Sequence, residues 1–273
     1  MTDRFRTVEV SDPAASFDGL SFMTVKSASL GMRADITFYL PPLEQQPKDM
    51  PLLVLLHGVY GSHWAWALKG SAHVTAARLI GEGALPPIAI AMPSDGLWGD
   101  GSGYVAHAEQ DFEHWIIDDV PAAARELSAS VTENSPLLIA GLSMGGFAAL
   151  RFAGKYPQLF TAAAAHSAIT DVAELDALIA ETRARWSTDQ TDKTVLGALT
   201  AASAPLPPIR FDCGLQDAYL EPNRALHHDL DALGIEHIYA EAKGGHDWGY
   251  WSREIEKTLR FFGRQLQQQE LRK

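Results

Sequence analysis

The sequence predicts an α/β fold: a mainly parallel central sheet flanked by helices, with antiparallel strands at its N-terminal end. Three observations predict it. Short apolar runs recur along the chain with helix-patterned segments between them. Most of those runs are apolar throughout rather than alternating, as strands covered on both faces are. Strand alternating with helix is the order of a parallel α/β sheet. The 273 residues, 47% hydrophobic and 21% charged, suffice for one such domain with one insertion.

Taken in order, LSFMTVKSASLGMRADITFYLPP reads as two antiparallel strands joined at SLG, because β-branched and aromatic residues alternate with polar ones and proline ends the second run. PLLVLLHG, PIAIAMP, SPLLIAGLS, TAAAAHSA, IRFDCGLQD and EHIYAEAKG follow as strands. The intervening AHVTAARLIGEG, DFEHWIIDDVPAAARELSAS, GGFAALRFAGKYP, EPNRALHHDLDALG and SREIEKTLRFFGRQLQQQ carry apolar residues at helical spacing. One segment breaks the rhythm. Residues 171–208, polar and closed by a proline-rich stretch, read as a small helical insertion over the strand ends, a cap or lid on the site.

The formal net charge of -12 repels polyphosphates, and no basic stripe interleaved with aromatics appears, so nucleic acid is excluded as a partner. No run approaches the ~18 apolar residues of a membrane span. The N-terminus carries charges and a proline where a signal peptide needs an apolar stretch, so the expected location is cytoplasmic. Cys213, the single cysteine, reads as a small buried strand residue. Oligomeric state is left open; a homo-oligomer is compatible with this composition.

Ligands of open α/β sheets gather beyond the carboxyl ends of the strands, so the residues just after each run carry the functional argument. GLSMGG joins a strand to a helix there. A serine hydroxyl is a weak nucleophile that needs exposure, a base and donors for the oxyanion it creates. A tight strand-to-helix turn exposes Ser143, and glycines at 141 and 145 remove the clashes that the turn would cause.

On this type of fold the order is serine, acid, histidine, each past a later strand. IRFDCGLQDAYLEP offers Asp217 after the strand has ended; Asp212 lies inside the strand, and Asp95 follows an earlier one. EHIYAEAKGGHDWGYW ends a strand and presents His246 just before a helix, whereas His227 and His228 belong to the preceding helix and His237 to the strand. Asp217 would hold one ring nitrogen of His246 and leave the other to take the Ser143 proton. PLLVLLHGVYGSHWAW supplies an early strand end; a backbone N–H from its loop, Val59 with Tyr60 as the alternative, joins the N–H of Met144 as the expected oxyanion pair. His57 is expected to pin this loop. A metal on His57 and His63 would need a third ligand that the spacing does not provide.

VKSASLGMRADITFYLPP, LLVLLHGVYGSHWAW, AGLSMGGFAALRFAGKYPQLF, CGLQDAYLEPNRAL and GGHDWGYWSREI together resemble the α/β-hydrolase superfamily, and within it the esterase D-like family of tributyrin and feruloyl esterases. The resemblance implies Ser143 as nucleophile, Asp217 as acid, His246 as base, oxyanion donors at Val59 and Met144, and no cofactor or metal. Leu142 stands where S-formylglutathione hydrolases commonly carry histidine. The loop MPSDGLWGDGSGYVAHAEQDFEHWI matches no single branch.

Aromatics cluster around these loops, with Tyr60, Trp98 and Trp248 as the candidate substrate contacts. The expected activity is hydrolysis of short-chain or aryl carboxylic esters through an acyl-enzyme. Acyl transfer to an alcohol or sugar is the alternative, since the same acyl-enzyme yields to whichever nucleophile arrives. A non-catalytic binding protein on a hydrolase fold is the third reading.

Overall fold

The computed structural model describes residues 4–187 and 189–271. Nine strands form one sheet among them: β1 (Val8–Val10), β2 (Leu20–Lys26), β3 (Arg33–Tyr39), β4 (Leu52–Leu56), β5 (Ala89–Pro93), β6 (Leu137–Leu142), β7 (Ala162–His166), β8 (Ile209–Gly214) and β9 (Ile238–Ala242). Their spatial order is β1-β2-β3-β5-β4-β6-β7-β8-β9. β1, β2, β3 and β5 pair antiparallel, and every pairing from β5 through β9 is parallel. The sheet and its flanking helices are the mainly parallel α/β architecture that the strand pattern predicts, and the α/β-hydrolase fold that the resemblance implies.

The helices are α1 (Ala65–Leu68), α2 (Ala72–Gly81), α3 (Phe112–His114), α4 (Val120–Leu127), α5 (Met144–Lys155), α6 (Val195–Thr200), α7 (Leu220–Ala232) and α8 (Trp248–Glu270). Alternate residues of each central strand face opposite layers. Leu53, Leu55, Ile90, Leu138 and Ala140 pack with Ala76 and Leu79 of α2 and with Ile255, Leu259 and Phe262 of α8. Val54, Leu56, Ile139, Ala163 and Phe211 pack on the other side with Ala123 of α4, Phe147 and Leu150 of α5, and Leu226 and Leu230 of α7. Each strand from β4 to β8 is thus covered on both faces, which is why β4 reads LLVLL and β7 reads AAAAH. β9, at the edge, is only partly buried.

Three details depart from the sequence reading. β1 is a short third antiparallel strand that three residues of alternation could not announce. The single helix expected over 111–130 is interrupted by a π turn at Trp115–Asp119, where the Val120 N–H bonds to the Trp115 carbonyl. Pro121 has no N–H for the Ile117 carbonyl and its ring crowds it, which favours the wider turn. The third departure is in 171–208. Apart from α6, its described helical parts are 3₁₀ turns at Val172–Ala177, Arg183–Arg185 and Gln190–Lys193. Side chains there bond their own backbone, as Asp171 does to Ala173 N (2.7 Å) and Thr182 to Ala184 N (3.3 Å), in competition with longer helix.

The register lines up the carboxyl ends. Leu56 pairs with Gly141, Leu142 with His166, His166 with Asp212, and Gly214 with Ala242. The residues that follow those pairs, from Gly58 to His246, therefore meet along one edge of the sheet.

Candidate active site

Ser143 sits between β6 and α5 with φ 53° and ψ −117°, a left-handed conformation that a side chain adopts only under constraint. Its backbone is tied on both sides: its N–H donates to the His166 carbonyl (2.9 Å), and its carbonyl accepts from Phe147 N (3.0 Å) and Ile169 N (3.2 Å). The turn is so tight that a methyl group on Gly145 would lie 2.6 Å from the carbonyl oxygens of Leu56 and His57. α5 begins at the next residue, so its N-terminal dipole points at the site.

The Ser143 Oγ lies 3.0 Å from His246 Nε2, and His246 Nδ1 lies 3.1 and 3.0 Å from the two Asp217 carboxylate oxygens. Three residues far apart in the chain thus form one hydrogen-bonded line. The loops that carry Asp217 and His246 are also bonded to each other: Gln216 N donates to the Gly244 carbonyl and Gly244 N to Gln216 Oε1, both at 2.9 Å. The His246 ring is clamped between Tyr219, centroid 5.0 Å away, and the edge-on Trp251 at 4.9 Å.

Burial alone would raise the Asp217 carboxyl, but the hydrogen bonds from His246 and from Tyr219 N (2.9 Å) outweigh it and hold the group below its ordinary range. Asp217 is therefore ionised at neutral pH. Its rival Asp212 is also ionised, pulled down to about 2: burial opposes ionisation, but His166 and Arg210 prevail. Asp212 accepts from Tyr250 Oη (2.8 Å), lies 3.0 Å from His166 Nδ1 and pairs with Arg210, whereas the carboxylate bonded to His246 is that of Asp217. Cys213 is buried, and burial pushes its thiol well up.

The early loop treats the two candidate donors differently. Tyr60 N–H donates to the Asp100 carbonyl (3.1 Å), whereas Val59 N–H has no backbone acceptor. Met144, the first residue of α5, has no intrahelical acceptor for its N–H either. Gly58 packs so closely on Ser143 that a Cβ there would lie 3.0 Å from the serine Cβ, and one on Gly101 would meet Met144 Sδ (2.8 Å) and Val59 Cγ1 (3.1 Å). His57 pins this loop: Nδ1–H donates to the Gly58 carbonyl (2.7 Å) and Nε2 accepts from Asp95 N (3.1 Å). Both ring nitrogens of His57 are engaged, and His63 Nδ1 faces Thr37 Oγ1 (2.8 Å) instead of its neighbour. Asp95 is a loop organiser as well, accepting from Ser102 N (2.7 Å) and Leu97 N (3.0 Å).

Beside Ser143 opens a cavity of about 440 Å³ whose walls include Val59, Tyr60, Trp64, Leu142, Leu178, Tyr219, Trp248 and Trp251. Trp248 meets Trp66 and Trp251 edge-on, each at 5.4 Å, and the Lys69 ammonium sits 5.9 Å over its ring. Of the three aromatics expected to contact substrate, Tyr60 and Trp248 line the cavity and Trp98 does not. Trp98 packs instead against His107 (4.5 Å) and Trp186 (6.2 Å), in an aromatic group shared with the 171–208 segment.

The sequence reading missed three participants. Leu178 enters the cavity wall from the 171–208 segment, and Tyr219 follows Asp217 by two residues. Ser167, in the strained conformation φ 49°, accepts from Trp251 Nε1 (3.1 Å) just behind the His246 ring. Its position directly after β7 is the signal that could have found it.

Comparison with known proteins agrees with this architecture. The chain is 24% identical over 236 residues to an acetyl esterase of Caldicellulosiruptor saccharolyticus, an alignment that spans 80% of this chain and 85% of that one. The fluorophosphonate-binding serine hydrolase FphF of Staphylococcus aureus superposes with a TM-score of 0.74 at 20% identity, covering 93% of this chain and 97% of its own. A ferulic acid esterase superposes with a TM-score of 0.72 at 23% identity, covering 96% and 99%. The family profile described as Putative esterase matches residues 27–262. The chain belongs to the Putative esterase family of carboxylic ester hydrolases.

Proposed function

We propose that Ser143, His246 and Asp217 are the catalytic triad of a serine carboxylesterase acting on short-chain or aryl esters. The observation that carries this reading is the unbroken line from Ser143 Oγ through the His246 ring to the Asp217 carboxylate, with steps of 3.0–3.1 Å. His246 takes the Ser143 proton on Nε2 as Oγ attacks the ester carbonyl carbon. Asp217 holds the ring orientation and stabilises the imidazolium. The oxyanion accepts from Val59 N–H and Met144 N–H. His246 then gives its proton to the departing alkoxide, leaving an acyl group on Ser143. Water, deprotonated by the same nitrogen, attacks that acyl carbon, and the proton returns to Ser143.

The substrate class follows from the cavity and its company. A space of about 440 Å³ walled by Trp64, Trp248, Leu142 and Leu178 suits a compact acyl or aryl group. The acetyl esterase and ferulic acid esterase relatives point to the same two classes. We place 171–208 as a cap within one domain: Leu178 borders the cavity, while Val172, Leu175 and Val195 belong to the same core as β7. A cytoplasmic location completes the reading, in keeping with the lone buried Cys213; among the described residues no helix is long and apolar enough to cross a membrane.

The test is hydrolysis of p-nitrophenyl esters from acetate to decanoate, with a feruloyl ester alongside, by the wild type and Ser143→Ala. The expected result is a loss of roughly 10⁶ in kcat in the variant, with wild-type rates highest on acetate to butyrate or on the aryl ester. Wild-type rates in Ser143→Ala would refute the mechanism.

A further inference from the structure

At the end of the sheet opposite Ser143, where β9 begins, α7 and the residue preceding β9 bring two imidazoles and a carboxylate together. His227 and Asp231 lie four residues apart and so share one face of α7. His237 comes round after the Gly234 turn to meet them. His227 Nδ1 lies 2.7 Å from His237 Nε2; Asp231 oxygens lie 3.6 Å from His227 Nε2 and 3.9 Å from His237 Nε2. One ligand atom from each residue falls within 4.8 Å of the others.

Second contacts fix the rings. His237 Nδ1–H donates to the Ile235 carbonyl (2.8 Å), which leaves Nε2 with its lone pair directed at the cluster. A ring N–H tied to a carbonyl is how metal-ligating histidines are commonly oriented. Phe211 stacks on His237 at 5.5 Å and 22°, and Tyr239 stacks on His227 at 4.7 Å and 27°. The His237 side chain is 2% exposed, that of His227 29% and that of Asp231 62%. The cluster is thus buried on the protein side and open to water on the other.

We propose that His227, Asp231 and His237 form a site for one divalent transition-metal ion of the Zn(II) class, which clasps the end of α7 to the start of β9. Two neutral imidazoles and one carboxylate suit zinc, with water in the fourth position; magnesium and calcium prefer all-oxygen shells. With Zn–N bonds of about 2.0–2.1 Å, a tetrahedral ion needs the two nitrogens about 3.3 Å apart, an opening of well under 1 Å from their present contact. The clasp holds the edge strand of the sheet and takes no part in ester cleavage.

The experiment uses the full chain, freed of metal with a chelator and titrated with Zn(II) by calorimetry, with Mg(II) as control. The expected result is saturable binding of one Zn(II) per chain, no binding of Mg(II), and a rise in Tm on zinc addition. Asp231→Asn changes an exposed residue and keeps the fold; it should weaken binding at least tenfold and abolish the Tm rise, as should His227→Gln. Co(II) should give the visible spectrum of a tetrahedral ion in the wild type and not in these variants. Absence of saturable Zn(II) binding by the wild type, or unchanged affinity in both variants, overturns the proposal and leaves a plain His–His hydrogen bond.

Discussion

A methyl group placed on Gly141 would lie 2.3 Å from the carbonyl carbon and oxygen of Gly145. The two glycines that flank Ser143 thus touch each other across the turn, and Ser143 reaches His246 only because neither has a side chain. Gly145 is confined again by the Leu56 and His57 carbonyls at the end of β4. Backbone cannot yield as a side-chain tip can, so the turn and the adjacent strand are fixed as one piece.

Gly145→Ala is therefore expected to lose at least about 2 kcal/mol of stability, the upper part of the range for overpacking. Gly81→Ala is the control. It lies at the end of α2, its added methyl meets nothing within 4 Å, and it should gain up to about 1 kcal/mol from helix propensity. Urea denaturation of both variants checks the pair; similar losses would mean that the close approach at Gly145 is relieved at little cost.

Most of the sheet was legible because strands buried on both faces have few sequence alternatives: β4, β5, β6, β7 and β8 are apolar throughout except at residues that bond within the core, such as His166, Arg210 and Asp212. The three residues in line were legible for a related reason, each being a polar side chain placed just after a strand end. What escaped were features set by distant partners. Trp98 looks like a site residue in sequence, yet its place is decided by His107 and Trp186, which lies nearly 90 residues away. The short turns of 171–208 escaped because apolar spacing reports which face is buried and not whether local side-chain bonds will cut a helix into 3₁₀ pieces.

His107 carries a pH prediction. Its ring stacks on Trp186 at 5.0 Å, meets Phe112 at 4.5 Å, and donates from Nε2 to the Ser102 carbonyl (3.0 Å). Burial dominates and brings its pKa down to about 4 from an ordinary 6.5. The unfolded chain therefore takes up a proton before the folded one does, so stability is full above pH 6.5 and falls as pH drops toward 4. In His107→Phe, which keeps an aromatic ring in the cluster, this slope should become shallower, with His63 and His73, whose pKa values burial also lowers, supplying what is left. Unfolding free energies compared across that pH window give the check, and an unchanged slope in the variant would assign it to another group.

Asp100 ties the loop after β5 to the 171–208 segment. Its carboxylate accepts from Ala180 N (2.9 Å), its own N–H donates to Glu181 Oε2 (3.1 Å), and its carbonyl holds Tyr60 N. Tyr60 Oη in turn donates to the Leu178 carbonyl. Asp100→Ala removes the bond to Ala180 and should loosen the wall of the cavity that Leu178 supplies. Expected outcomes are faster hydrogen exchange at residues 178–181 and a raised KM with kcat little changed, the pattern of lost binding rather than lost chemistry. Unaltered exchange would mean that the bonds left in the variant, Asp100 N to Glu181 and Tyr60 Oη to the Leu178 carbonyl among them, hold the segment without the carboxylate.

Asp217→Asn separates orientation from acid strength. The amide is nearly the same shape as the carboxylate, so its oxygen can still accept from Tyr219 N (2.9 Å in the wild type), and the loop that Gln216 ties to Gly244 is untouched. The facing His246 Nδ1 now meets either an amide oxygen or an N–H donor. In the second case the ring must accept there, which puts the proton on Nε2 and removes the base from Ser143. Even in the first case the imidazolium formed during attack has lost its negative partner. The expected result is a fall of about 10⁴ in kcat with KM changed little, by analogy with other Ser-His-Asp enzymes. Ser143→Ala combined with Asp217→Asn should be hardly worse than Ser143→Ala alone, since the acid acts only through the histidine that serves the serine. Multiplicative losses in the double variant would show Asp217 acting on substrate by a route of its own, and the linear arrangement of the three groups would no longer explain the rate.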